Sequence, residues 1–243
     1  MSADVSRDTR TARPLSASRP AALFDLDGTL VDTPRGIVES FTAVFAALGT
    51  APAPAPAEIR ATIGLPLEQA FAKLLGVAPD DARVAEGVRR YQEAFREIVL
   101  PRAVELLFPG VPDGLAALRD RGLALAVATS KFYASADALL RAAGIRDLFE
   151  VVLGADQVER PKPHPDSGHR VLRELGGIPA ERAVMVGDTT HDLLMAQACG
   201  MRSIAVTYGI HGPAELSTAE PTWLADTFDD AVAHIMAAYG NDG

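Results

Sequence analysis

The chain has 243 residues, of which 48% are hydrophobic and 23% charged, with a net charge of −9. That length suits one large domain or one domain carrying a second small one, and the balance excludes a disordered, collagen-like or low-complexity chain. The acidic charge argues against sequence-independent binding to nucleic acid, which needs a cationic face.

Residues 1–20 carry Arg7, Arg10, Arg13 and Arg19 against Asp4 and Asp8 and lack an apolar core. They read as a disordered leader rather than a secretory signal. Ala21-Ala22-Leu23-Phe24 is a short apolar run ending in Asp25, the pattern of a buried strand. From about 36 to 103 the pattern becomes helical. Ile37, Phe41, Val44, Phe45 and Leu48 share one face. Leu67, Ala70, Phe71, Leu74 and Leu75 share a second, and Val84, Val88, Tyr91 and Phe95 a third. The tract 51–57, alternating Ala and Pro, is expected as an extended connector inside this insert.

A helix over Asp113–Arg121 stops at Gly122, and the run Leu123–Ala128 ends in Thr129-Ser130. A helix over Ala134–Ala143 stops at Gly144, and Val151–Leu153 ends in Gly154-Ala155-Asp156. Lys162 follows in a loop, between Pro161 and Pro163. Ala183–Val186 ends in Gly187-Asp188, a helix over Thr190–Cys199 stops at Gly200, and Ser203–Val206 is a last apolar run. A glycine just past a periodic segment is a left-handed helix stop. Strands alternating with helices predict an α/β fold, a Rossmann-like parallel sheet flanked by helices. The α/β core would comprise residues 21–35 and 104–243, and the inserted helical domain residues 36–103.

In open parallel sheets, ligands bind beyond the carboxyl ends of the strands. The residues expected at that rim are Asp25, Asp27, Thr129, Ser130 and Asp188, with Lys162 from its loop. Carboxylates, a hydroxyl and an ammonium together suit a metal and a phosphate. Two adjacent carboxylates repel, and a cation keeps both ionised. A strand followed by an Asp-Gly turn with capping acids also produces Asp-x-Asp-Gly, but the full string Asp25-Leu26-Asp27-Gly28-Thr29-Leu30 after a buried strand favours the metal. Gly28 lets the chain turn without a Cβ. Read alone, Thr129-Ser130-Lys131 serves equally as a phosphate cradle at a helix start or as an ordinary N-cap. Asp192, one helical turn after Asp188, fits a supporting role or a solvated helix face. His164 and His191 match no zinc spacing and read as a loop histidine and an exposed helix-start histidine. Cys199, the lone cysteine, excludes an intrachain disulfide and reads as a small buried hydrophobe. No run of about 18 apolar residues occurs, so no transmembrane helix and no membrane partner are expected, and the default location is cytoplasmic.

These motifs resemble the haloacid dehalogenase superfamily of phosphatases. Asp25-Leu26-Asp27-Gly28-Thr29, Thr129, Lys162 and Gly187-Asp188 with Asp192 match the four family motifs in order. Lys162-Pro163-His164-Pro165-Asp166 and Val206-Thr207-Tyr208-Gly209 are similar to the phosphoglycolate phosphatase branch, which often has Asn where this chain has Ser130. The likeness spans residues 21–238. It implies that the insert is a helical cap that closes over the site. It also implies that Asp25 is the nucleophile forming an aspartyl-phosphate, and that Asp27 protonates the leaving oxygen and then activates water. Mg²⁺ would sit on Asp25, Asp188 and the Asp27 carbonyl. Thr129 and the Ser130 N–H, with Gly28 in the adjoining turn, would bind substrate, and Lys162 would balance the charge around Asp25.

The expected activity is Mg²⁺-dependent hydrolysis of a small phosphorylated metabolite, with 2-phosphoglycolate as the first choice. Two alternatives stand beside it. A phosphosugar mutase of the same family would use the same residues and return the phosphoryl group to substrate. A phospho-acceptor signalling domain also gathers acids and a lysine at strand ends, but is usually half this length. Substrate-selecting residues are expected in the insert, with Thr62-Ile63-Gly64-Leu65-Pro66 the suspected loop. The oligomeric state is unreadable from sequence.

Overall fold

The computed structural model describes residues 19–50 and 52–239. The expected leader lies outside it except for its last two residues. Arg19 pairs with Glu150 at 2.6 Å, and the Pro20 carbonyl accepts from the Ala124 N–H at 3.0 Å. The described fold therefore starts two residues before the first apolar run.

Six parallel strands form one sheet. They are β1 (Ala21–Phe24), β2 (Ala124–Ala128), β3 (Val151–Leu153), β4 (Ala183–Gly187), β5 (Arg202–Val206) and β6 (Trp223–Ala225). Their order is β3-β2-β1-β4-β5-β6. β1 therefore lies inside the sheet, with Phe24 level with Val127 of β2 and Val186 of β4. The chain lays strands to one side of β1, then crosses and continues on the other. That reversal between β1 and β4 opens the crevice in which such sheets hold ligands.

β1 to β4 are buried throughout, as parallel strands covered on both faces must be. Alternate side chains face opposite layers. Ala22 and Phe24 pack with α5 (Val111–Asp120), α6 (Tyr133–Ala142) and α10 (Phe228–Tyr239), while Ala21 and Leu23 pack with α7 (Asp166–Glu174) and α8 (Thr190–Cys199). A short α9 (Pro213–Ser217) precedes β6.

Between β1 and α5 the described residues form four α-helices: α1 (Pro34–Leu48), α2 (Pro56–Arg60), α3 (Leu67–Leu75) and α4 (Ala82–Ile98). The first begins two residues before the expected boundary, because Pro34 occupies its first turn, where a missing N–H costs nothing. The same reasoning places Pro56 and Ala57 in α2 rather than in an extended connector. The three predicted apolar faces meet in an aromatic cluster. Phe41 lies 4.7 Å from both Phe71 and Tyr91, and Tyr91 lies 5.9 Å from Phe95. Among the described residues no helix is long and apolar enough to cross a membrane.

Candidate active site

Asp25 directly follows β1 and is 4% exposed; its N–H donates to the Val186 carbonyl at 2.9 Å, which locks it to the neighbouring strand. Asp188 follows β4 and is fully buried. Its carboxylate accepts from the Thr29 hydroxyl at 2.9 Å and from the Ile210 N–H at 2.8 Å. Thr129 follows β2, and its hydroxyl accepts from the Lys131 N–H at 3.2 Å in a local turn. Three adjacent strands thus deliver these residues to one rim.

Lys162 reaches the same point from its loop, after which the Lys162–Pro163 bond is cis. Its ammonium donates to the Ala128 carbonyl at 3.0 Å and to Asp192 Oδ1 at 2.5 Å, and lies 3.1 Å from Asp25 Oδ1. Burial alone would lower its pKa. Asp192 and Asp25 outweigh that and hold it above the ordinary lysine value, so the charge is permanent. Asp192 is fully buried, and its other oxygen accepts from the Thr189 N–H and hydroxyl at 3.1 and 2.7 Å. Its two open readings resolve to support of Lys162.

The carboxylates outnumber the ammonium. Ligand atoms of Asp25, Asp188 and Asp192 all lie within 4.8 Å of one another. Burial, only partly offset by Lys162 and reinforced by Asp192 and Asp27, raises the Asp25 pKa to about 7. Burial and the charges of Asp25 and Asp192 push Asp188 well above its ordinary value. Asp25 Oδ1 is buried and accepts no well-formed hydrogen bond. Crowded buried carboxylates, with only the Lys162 ammonium against Asp25 Oδ1, fit a hard divalent cation, which oxygen donors suit.

Asp27 sits further along the turn. Its Oδ1 accepts from the Thr33 hydroxyl at 2.5 Å, and its Oδ2 pairs with Lys131 Nζ at 3.1 Å. Gly28 stands apart from the expected substrate contacts. Its N–H is taken by the Val31 carbonyl. At φ +82° a Cβ on it would fall 2.1 Å from Asp188 Oδ2, so the bare glycine makes room for that acid. The Ser130 hydroxyl is buried without a partner.

A cavity of about 590 Å³ of empty space, its mouth included, adjoins these groups. Asp25, Asp27, Thr129 and Ser130 line one end. Thr62, Ile63, Gly64 and Leu65 of the suspected loop line the other, together with side chains of α1, α3 and α4. Gly64 also approaches His191 and Thr189, and His191 is half-buried, with burial lowering its pKa. The expected exposure of that histidine fails because the loop of the insert covers it. Cys199 is buried, its thiol donating to the Pro165 carbonyl at 3.3 Å. His164 lies beside Asp166 at 3.0 Å, in its loop.

Sequence reasoning missed Lys131 as a partner of Asp27. Its ammonium also lies 4.1 Å from the centre of the Phe95 ring in α4. Nothing in the spacing joins residues 95 and 131, and the one available signal was its place two residues after Thr129.

The family model of haloacid dehalogenase-like hydrolases matches residues 22–206, and the chain belongs to that family. Within it the chain is a phosphatase, a phosphoric monoester hydrolase. "Probable phosphatase IndB" of Dickeya dadantii is 54% identical over 220 residues, covering 90% of this chain and 95% of that protein. A phosphoglycolate phosphatase of Pectobacterium atrosepticum is 34% identical over 220 residues, covering 89% and 92%. Among solved structures, a mutant of CbbY from Rhodobacter sphaeroides in complex with xylulose-(1,5)bisphosphate matches with a TM-score of 0.75 at 32% identity, covering 86% and 95%.

Proposed function

We propose that the chain hydrolyses small phosphomonoesters in a Mg²⁺-dependent reaction through a phosphoryl group carried on Asp25. The observation that carries this reading is the meeting of Asp25, Asp188 and Asp192 within 4.8 Å, against the Lys162 ammonium, beside a cavity. The carboxylates of Asp25 and Asp188 and the backbone carbonyl of Asp27 would hold Mg²⁺. When bound, the ion neutralises charge on the transferred phosphoryl group and orients it.

This chain's own residues would do the rest. An Asp25 oxygen forms a bond to phosphorus as the ester P–O bond breaks, and Asp27 gives its proton to the departing alkoxide. Asp27, now ionised, takes a proton from water as that water attacks phosphorus. The Asp25–phosphorus bond then breaks and inorganic phosphate leaves. Thr129 and the Ser130 N–H would bind phosphate oxygens, and Lys162 would keep the Asp25 carboxylate ionised and aimed. Helices α1 to α4 would act as a cap that excludes bulk water.

The motif likeness and the relatives named phosphoglycolate phosphatase put 2-phosphoglycolate among the esters to be tested first. A cytoplasmic setting accords with the lone free thiol of Cys199, and the net charge of −9 argues against a nucleic-acid partner. The test is phosphate release from a panel holding 2-phosphoglycolate, sugar phosphates, nucleoside monophosphates and pyrophosphate, with Mg²⁺ and with chelator. Steady multiple-turnover release, abolished by chelator, is expected. Transfer of the phosphoryl group back to substrate without net release would instead mark a mutase.

A further inference from the structure

We infer that the preferred substrates are phosphomonoesters whose remainder is uncharged and largely apolar, a ring-bearing alcohol above all; this rests on the phosphatase reading of the same site. The cavity has two chemically distinct ends. Beyond the acids and hydroxyls at the strand rim, its walls are Phe41, Ile63, Leu65, Leu67, Tyr91 and Phe132. Phe41 and Tyr91 belong to the packed aromatic cluster, with ring centres 4.7 Å apart, so neighbouring rings hold that wall in place.

Charge points the same way. Among the described residues that line the cavity, Lys131 supplies the only ammonium or guanidinium. That ammonium is already held, 3.1 Å from Asp27 Oδ2 and 4.1 Å over the Phe95 ring. A second anionic group on the substrate, such as a carboxylate or a distal phosphate, would meet largely apolar walls and the neutral hydroxyls of Thr62, Ser135 and Tyr91, with no free cation among the described lining residues. Drawing Lys131 toward such a group would strip Asp27 of its partner. A two-carbon acid has no carbon to lay against the apolar walls, whereas a ring does. An uncharged ring gains from burial without leaving a buried charge unpaired.

The experiment compares kcat/KM for four esters with Mg²⁺: benzyl phosphate, a nucleoside 5′-monophosphate, 2-phosphoglycolate and fructose 1,6-bisphosphate. Benzyl phosphate and phosphoglycolate both expel an alkoxide, so intrinsic reactivity is closely matched. At least roughly tenfold preference for benzyl phosphate over phosphoglycolate is expected, the scale on which apolar pockets discriminate. Leu65→Lys, which places a cation on the half-buried loop wall, should move that ratio toward phosphoglycolate by a similar factor. Phosphate release that is fastest from phosphoglycolate or the bisphosphate overturns this inference and leaves the phosphatase reading standing. No release from any of the four overturns both.

Discussion

Lys131 Nζ lies 3.1 Å from Asp27 Oδ2, and both side chains are almost fully enclosed. With the Thr33 hydroxyl on its other oxygen, Asp27 is pinned at both ends. The same ammonium rests on Phe95, so the orientation of the proposed acid depends on a residue of the insert. Lys131→Met removes the charge and keeps the stem. It should lower kcat by about 10- to 100-fold, the usual effect of a misplaced catalytic group. The loss should be larger on alkyl than on aryl esters, because alkoxides need the proton more. Equal losses on both would mean that Lys131 does not act through Asp27.

Asp25 and Asp27 should separate in single-turnover experiments. Asp25→Asn should form no phosphoenzyme, since an amide is a poor nucleophile. Asp27→Asn should still become phosphorylated by an aryl phosphate and should hold the intermediate longer, because water is no longer activated. Rapid-quench trapping reads both. A trapped phosphoenzyme in the Asp25 variant would reverse the assignment.

The acids predict how metal and pH act together on stability. The Asp25 pKa is raised from 3.8 to about 7, and that of Asp188 is raised also. The folded protein therefore holds protons that the unfolded chain releases. This contribution is complete below about pH 4 and is lost as pH rises toward 7. Thermal melts in chelator should show Tm falling between pH 5 and 7.5, and Mg²⁺ should raise Tm more at 7.5 than at 5. A Mg²⁺ shift that is equal at both pH values, or larger at 5, would contradict a site built on these carboxylates.

Asp192 supports rather than reacts. Asp192→Ala would leave the buried Lys162 ammonium without its nearest partner, and breaking such a pair costs about 3–5 kcal/mol. Urea unfolding should register a loss of that order. Asp192→Asn keeps an acceptor for the ammonium and should lose less. If both variants unfolded at the wild-type midpoint, the pair would have no structural weight.

Gly28→Ala should cripple the metal site without touching an acid. The new Cβ would collide with Asp188 Oδ2 from a backbone at φ +82°. Mg²⁺ affinity, measured by calorimetry, should fall while the far-ultraviolet circular dichroism stays native. Unchanged Mg²⁺ affinity would place the ion elsewhere.

Much of the fold and of the site is legible in the sequence itself. Apolar runs that end in polar residues and are too short for a helix mark β1 to β5, the pattern of strands buried on both faces. β6 escaped: it is three residues at the sheet edge, with Trp223 half-buried and Leu224 45% exposed. Asp25, Thr129 and Asp188 were identifiable because each directly follows a strand. Asp192 was ambiguous because a helix start presents acids equally well to solvent or to a buried lysine. The Lys131–Asp27 pairing has no signal in the sequence spacing and His191 reads as exposed, for a shared reason. Each touches the insert, and contacts between distant segments leave no periodicity in either.

The position of β1 also sets when the enzyme can become active during synthesis. β1 emerges first, yet its two neighbours begin at Ala124 and Ala183. Asp188 is tied to Thr29 across 159 residues of chain, and the Tyr208 hydroxyl reaches the Thr29 carbonyl across 179. A nascent chain that has not yet exposed β4 carries Asp25 on an open sheet edge, a surface prone to pairing with other chains. Such contacts are slow to close, since their loops must be ordered first. Ribosome-bound chains ending before residue 183 should therefore lean on chaperones, and catalysis should arrive only with the last quarter of the polypeptide.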